Sequence, residues 1–206
     1  MDVLATPVKR WQIILSYFLS AVISVCLMTA AILTVGLIIL SFGGNMHLET
    51  ADVCRAYFVT ALGDVSATAF FMVVVLMFKS SQASGAFFGM LSAAAGFVIG
   101  AYIPISQFSD SVQTVCNIFP ASQVTILLRN TLLEGTLDSM DVSLGGMDGG
   151  AFVQNIREIF TFRARIFGNN MEANEMLLYV IIMILICILV QIVLFSKNYR
   201  KSKDDA

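Results

Sequence analysis

Charged side chains are scarce in this sequence. They make up 13% of its 206 residues, whereas hydrophobic residues make up 58%. A soluble domain carries about a quarter charged residues, so the scarcity argues against a soluble globular protein. The net charge of −2 gives no sign of the basic surface that nucleic-acid binding requires. We therefore expect the lipid bilayer, and no nucleic acid, as a partner.

Catalytic and nucleotide-binding motifs are absent as well. The single histidine, His47, cannot form a metal site or a catalytic dyad alone. The sequence has no HExxH, GxSxG or CxxC motif. It also lacks the GxxxxGK[ST] loop that cradles nucleotide phosphates. We therefore expect no enzymatic activity, metal or cofactor in this chain, and any ATP that drives it must bind another subunit.

Cysteine is sparse, with four residues. Cys26 and Cys187 lie inside long apolar runs, where a free thiol behaves as a small apolar packing group. Cys54 and Cys116 fall between such runs, near the same predicted face of the membrane. A disulfide between these two is one alternative, and two free thiols are the other.

Long runs without charge dominate what remains. About 20 helical residues cross the hydrocarbon layer of a bilayer, and four runs reach that length. The first run is far longer than the apolar core of a secretory signal peptide. We therefore predict an all-α polytopic membrane helix bundle in which residues 1–206 form one domain. Its predicted spans lie near residues 12–40, 56–78, 83–105 and 176–196.

Lysine and arginine next to the spans predict the orientation. Cytoplasmic flanks are enriched in these residues. Lys9, Arg10, Lys79 and the cationic cluster within residues 197–203 share one side of a four-span bundle. The arginines on the other side lie mostly in a long loop that is also acidic. The sequence therefore predicts a plasma-membrane protein with both termini in the cytoplasm.

Residues 106–175 form the long external region in this scheme. Residues 111–128 are uncharged but polar, and Pro120 interrupts them. We predict two short re-entrant helices here, packed against protein because broken backbone cannot face lipid. A turn region rich in Gly and Asp follows at residues 135–150. Residues 151–167 then predict a helix that is either interfacial or a small packed external element. Its apolar face comprises Phe152, Ile156, Ile159 or Phe160, and Phe167.

Asp64 is the one charged residue within a predicted span. A carboxylate at that depth is costly and normally meets a partner or a water-filled path. One alternative is that Asp64 lines a translocation path. The other is that it bonds to Ser, Thr or Gln of a neighbouring helix. An intramembrane aspartyl protease would need a second membrane Asp, which the other predicted spans lack.

Small residues cluster along the third predicted span. Gly85 and Gly89, and likewise Gly96 and Gly100, are four residues apart. This spacing lets helix backbones approach closely. The pattern predicts that the third span is buried in a bundle or at a dimer contact.

The first residues carry the signals of a helix start. Thr6 suits the N-cap position and Pro7 the first helical position. Lys9 and Arg10 would then hold the entrance of the first span among the cytoplasmic headgroups.

Two stretches resemble the permeases of type-2 ATP-binding cassette (ABC) transporters. ATPVKRWQIILSYFLSA looks like the family's SPVKR segment and the long span after it. The end of the family's fifth span and its re-entrant external helices are similar to GAYIPISQFSDSVQTVCNIFPASQVTILLRNTLLEG. This resemblance places Pro120 and Arg129 in the re-entrant element. Residues 135–175 match least well. The family has six spans, so the chain looks like a permease without the first two spans, or one part of a split permease.

The resemblance implies a mechanism. Two permease copies, or complementary halves, would form the path, and a separate ABC ATPase subunit would bind ATP. Substrate would leave the cell as the bundle alternates between two states. The ATPase-coupling region would include Leu4, Thr6, Pro7, Lys9 and Arg10, while Asp64, Gly89, Gly96 and Gly100 would serve the path or helix packing. The alternative function is a non-transporting immunity or regulatory membrane protein that acts through helix contacts.

Overall fold

The computed structural model describes residues 10–43, 48–144 and 150–204, and side chains as far as residue 196. Within these residues, three helices are long and apolar enough to cross a membrane: Trp11–Phe42, Thr50–Met77 and Ala173–Ser196. The predicted class, an all-α membrane helix bundle, is confirmed. The helices are α1 Arg10–Phe42, α2 Thr50–Met77, α3 Ser81–Val98, α4 Asp110–Ile118, α5 Pro120–Ser143, α6 Ala151–Ile159 and α7 Ala173–Asp204.

Helix α3 differs from the predicted third span. It has 18 residues and ends at Val98 instead of near residue 105, and it is not among the three long apolar helices of the described chain. Gly100 adopts a left-handed conformation with φ +72°. The Ala101 N–H donates to Gly96 O and the Gly100 N–H to Phe97 O. This is a Schellman motif, which ends a helix at a glycine although the charge-free run continues.

Helix α2 lies at the centre of the bundle and packs against α1, α5 and α7. One apolar cluster joins α1, α2 and α7 through Phe18, Ala69 and Cys187. A second cluster contains Val59, Ile126, Leu127, Ala164 and Met176. The second cluster links two long spans to the region between α3 and α7, so that region is part of the same packed body.

Helices α4 and α5 form a hairpin that turns at Phe119. Pro120 breaks the chain here as predicted and starts α5 at a position where its missing N–H is tolerated. The Tyr179 hydroxyl, in the second turn of α7, donates to Ile118 O over 2.6 Å. The Phe119 ring lies 4.6 Å from that of Phe70 in α2. The tip of the hairpin therefore lies beside α2 and α7, about 9 Å along α7 from its first residue. We keep the predicted name, re-entrant hairpin, for α4 and α5.

The second arm of this hairpin is longer than predicted. Helix α5 has 24 residues and continues to Ser143, so the prediction of turns from residue 135 onward is wrong for residues 135–143. Leu137 packs against Val153 and Phe162 in a third apolar cluster, and this packing holds the helix together past Gly135. Residues 145–149 of the predicted turn region lie outside the described residues.

The segment after α6 forms a β-hairpin in place of the predicted longer helix. Strand β1 Ala164–Ile166 pairs antiparallel with β2 Asn169–Met171. Val153 of α6 is buried, whereas Phe152, Phe160 and Phe167 are exposed. The predicted single apolar face from Phe152 to Phe167 is therefore wrong, because the helix ends at Ile159 and Thr161 takes a positive φ of 56°.

Candidate functional site

Asp64 contacts a neighbouring helix within the bundle. Its side chain is 8% exposed, and Thr29 Oγ1 of α1 donates to Asp64 Oδ2 over 2.5 Å. This arrangement favours the structural alternative, in which a hydroxyl on an adjacent helix stabilises the carboxylate.

Two further polar contacts join the spans. Thr34 Oγ1 and the Tyr57 hydroxyl lie 2.7 Å apart and link α1 to α2. Gln191 of α7 is 1% exposed, and its Nε2 donates to Ala69 O of α2 over 2.7 Å. Gln191 was not singled out from the sequence. The available signal was a lone amide inside the apolar run 176–196, where an unpaired polar group is costly.

Helices α2 and α5 approach closely at Gly63. A Cβ atom at this position would lie 2.6 Å from Val124 Cγ1, so only glycine fits without displacing Val124. Gly63 was not among the predicted packing glycines, because no second glycine lies four residues from it in α2. Its neighbour Asp64 faces α1, so consecutive residues of α2 contact two different helices.

Within this chain, the predicted glycines are not contacts between helices, and the dimer contact predicted for the third span stays a prediction. A Cβ atom added at Gly89 would meet no atom within 4 Å, so no described helix packs on it. Gly96 lies under the Tyr102 ring, which leaves no room for a Cβ atom. Gly100 provides the left-handed turn at the end of α3. Gly96 and Gly100 therefore shape one local turn.

Arg129 of α5 binds the ends of two helices. Its Nη1 donates to Phe160 O and, over 3.1 Å, to Thr161 O, while its Nη2 donates to Gly100 O over 3.1 Å. Gly100 follows α3 and Phe160 caps α6, so the cation lies where both helix dipoles are negative. Burial lowers the pKa of the Arg129 guanidinium from its ordinary value, although arginine remains protonated in proteins. Arg129 thus fastens α3 and α6 to the re-entrant hairpin.

The turn of the re-entrant hairpin contains a buried amide pair. Asn117 and Gln123 are fully buried. Gln123 Nε2 donates to Asn117 O over 2.8 Å, and Asn117 Nδ2 donates to Arg165 O of β1 over 2.9 Å. The side-chain oxygens of both residues have no hydrogen-bond partner within the described chain. These contacts hold the hairpin turn against β1 and leave two acceptors in a mostly apolar setting.

A polar cavity of about 1050 Å³ lies between the hairpin, α6 and the β-strands. Arg157 on its wall forms ion pairs with Glu134 (3.6 Å) and Asp138 (3.0 Å), which fasten α6 to α5. Asn130, Arg163 and Glu172 also line it. No group of three or more metal-ligating side chains occurs among the residues that the structure describes.

Most of the predicted ATPase-coupling region lies outside the described residues. This applies to Leu4, Thr6, Pro7 and Lys9. Arg10 is the first residue of α1, and the structure describes its backbone but not its side chain.

All four cysteines are free thiols: Cys26, Cys54, Cys116 and Cys187. Of the two alternatives for Cys54 and Cys116, the structure therefore has two free thiols.

Comparison with known families gives one match. The family model described as ABC-2 family transporter protein matches residues 1–196. No curated protein and no solved structure matches the chain. The matched range includes the three long apolar helices, the re-entrant hairpin and the polar cavity beside it.

Proposed function

Because this chain belongs to the ABC-2 transporter family, whose members are membrane permeases that work with an ATPase subunit, we propose that it is the permease subunit of an ABC exporter. ATP is hydrolysed by the separate subunit, and this chain provides part of the path for a substrate leaving the cell. A second copy, or a complementary permease half, completes that path. The chain lies in the plasma membrane. With α3 counted as a fourth crossing beside the three long apolar helices, both termini lie in the cytoplasm.

The observation that carries this proposal is the match over residues 1–196. The packing of the bundle also supports the proposal, because a helix that contacts several other helices can transmit motion among them. Helix α2 packs on α1, α5 and α7. A displacement of α1 by the ATPase, entering through residues 4–10, reaches α2 through the Thr29–Asp64 contact.

The outer elements would move with the spans. Val124 of α5 meets Gly63 of α2, and Arg129 ties the same helix to the ends of α3 and α6. Motion of α2 therefore reaches the outer surface through α5. For ATP to drive transport, ATP and substrate must each bind the two states of the bundle with different affinity.

Co-purification tests the proposal. The full chain, tagged and extracted from its own cells in mild detergent, should retain an ABC ATPase whose activity can be measured. Leu4→Asp should weaken that association, because it places a charge in the proposed contact. Lys203→Asp, near the C-terminus, is the control and should leave the association intact. A stable assembly of this chain without any ATPase would refute the proposal and favour the regulatory function.

Cysteine labelling tests the orientation separately. In a background without the native cysteines, Lys79→Cys should resist a membrane-impermeant maleimide applied to intact cells, and Glu158→Cys should react. Both native side chains are exposed, so burial does not limit either reaction. The opposite pattern would overturn the proposed topology.

A further inference from the structure

The tip of the β-hairpin holds a bulky apolar residue in an unfavourable backbone conformation. Phe167 has φ +49° and Gly168 has φ +81°, and these two residues connect paired Ile166 and Asn169. Two positive φ values define a type I′ turn, whose first position favours Asn, Asp or Gly. A phenylalanine there weakens the turn, and strained residues of this kind cluster at functional sites.

The Phe167 side chain lies on an exposed apolar surface. It is 81% exposed, and Val115 of α4 is 66% exposed. The Phe167 N–H donates to Thr114 Oγ1 over 3.3 Å, which places the hairpin tip beside α4. We define the anchor surface as Phe167 and Val115 together with the exposed side chains of Val112 and Ile118.

The anchor surface lies near the beginning of a predicted span. Strand β2 ends at Met171 and α7 begins at Ala173, so the hairpin lies at the entrance of that span. Ile118 accepts a hydrogen bond from Tyr179 of α7. On α7 itself, Leu178 and Ile182 are exposed large apolar residues. The anchor surface therefore lies near the end of α7 that would enter the membrane.

A charged pair borders the same surface. Arg165 Nη1 lies 3.1 Å from Asp110 Oδ1, and both side chains are exposed. Strand β1 and α4 thus carry charge at one edge and apolar side chains at the other. An interfacial element has this distribution, with polar groups among headgroups and aromatic or aliphatic groups among the upper acyl chains.

We propose that the anchor surface is immersed in the interface of the bilayer, with Phe167 as its main lipid contact. The anchor sets the depth of the re-entrant hairpin, because α4 is part of it. A lipid partner fits a protruding two-residue turn, since fluid acyl chains need no complementary groove. This inference goes beyond the proposed function, because it requires only that α7 crosses the membrane. The orientation of the chain decides which of the two leaflets the anchor surface enters.

Tryptophan fluorescence in bilayers tests the contact. The chain has one tryptophan, Trp11, so Trp11→Phe gives a silent background. Phe167→Trp in phosphatidylcholine vesicles should emit at shorter wavelength than a water-exposed tryptophan. Lipids brominated high on the acyl chain should quench it more strongly than aqueous iodide does. The control is Val142→Trp near the end of α5. Val142 is 80% exposed and lies about 33 Å along the helix from Pro120. Iodide should quench this tryptophan.

Quenching of the Phe167→Trp variant by iodide alone would overturn the proposal, and so would quenching by neither reagent, which would indicate burial against protein.

A second reporter, Val115→Trp, isolates the role of Phe167. Phe167→Leu should keep the bromolipid quenching of this reporter, whereas Phe167→Asn should reduce it severalfold although asparagine suits the turn better. If asparagine leaves the quenching unchanged, Phe167 is not the anchor. Loss of ATPase co-purification would not affect these outcomes.

Discussion

Thr29 and Asp64 form the shortest described polar link between the first two spans, at 2.5 Å between Oγ1 and Oδ2. The hydroxyl donates and the carboxylate accepts. Asp64 thereby has a partner at a depth where an isolated charge is costly. The pair also joins the helix that begins next to the proposed coupling region to the central helix of the bundle.

Replacing Thr29 by valine should destabilise the bundle by about 1–2 kcal/mol, the upper range for interhelical hydrogen bonds in membranes. Valine keeps the shape of threonine but removes the donor. Asp64→Asn should be milder, because the amide oxygen still accepts the bond. The midpoint of thermal unfolding in detergent measures both effects.

The double variant then separates the two functions considered for Asp64. If the pair is structural, the effects of Thr29→Val and Asp64→Leu, which removes the acceptor, will be non-additive, and export will fall only as stability falls. Loss of export in Asp64→Asn at unchanged stability would instead show that the charge itself serves the path. Thr34→Val is the matched control at the more exposed Tyr57 contact.

Replacing Arg129 by lysine should loosen the packing of α3 and α6 against α5 nearly as much as replacing it by glutamine. A single ammonium cannot reach carbonyls on two helix ends at once, whereas the planar guanidinium does so. Each bond to a charged group contributes about 1.5–3 kcal/mol. Amide hydrogen exchange should rise around residues 97–102 and 156–162.

Arg163→Lys serves as the control for Arg129→Lys, because Arg163 is exposed and also lies between α3 and α7. In this control variant, the amides of residues 97–102 and 156–162 should exchange as in the unmodified protein. Equal protection in Arg129→Lys and the unmodified chain would show that the carbonyl contacts do not hold α3 and α6 against α5.

Gly63→Ala should force α2 and α5 apart and cost about 1–3 kcal/mol, as expected for overpacking. The added methyl meets Val124 Cγ1 at 2.6 Å. Val124→Ala should recover much of that loss when combined with Gly63→Ala, although alone it leaves a cavity. Gly89→Ala is the control, since its Cβ meets open space within this chain. Thermal unfolding of the four variants measures the coupling.

Alkylation of the native cysteines should distinguish Cys54 from Cys116. Cys54 is exposed and Cys116 is buried, so a soluble maleimide should modify Cys54 readily and Cys116 only after unfolding. Mild oxidation should not join them. Mass spectrometry of the peptides identifies the modified residues, and a Cys54–Cys116 peptide would contradict the structure.

The long helices could be predicted because burial in lipid leaves a strong signal, a run without charge. The break at Pro120 was predictable for an equally local reason, since proline lacks the N–H and fixes φ. The end of α3 was missed because the charge-free run continues through Gly100 and Pro104. Those two residues are stop signals for a helix. They indicate the end of α3, whereas the distribution of charge does not.

The region between α3 and α7 depends on contacts between distant residues, which sequence patterns do not show. Arg129 binds backbone carbonyls, and these carry no side-chain signature. Helix α5 continues past Gly135 because Leu137 packs on Val153 and Phe162, so tertiary packing overrides glycine's low helix propensity. The β-hairpin has three-residue strands, too short for a readable alternation, and Phe-Gly replaces the usual Asn-Gly at its turn.

The re-entrant hairpin also has a consequence for how the chain is made. Its turn residues bond to partners that the ribosome adds later: Asn117 to Arg165, and Ile118 to Tyr179. During synthesis at the membrane, the Asn117 amide must wait for strand β1, and the hairpin turn must wait for Tyr179 of α7. Completion of the hairpin is therefore tied to insertion of α7, and chains interrupted before that helix should be recognised and degraded as unfinished.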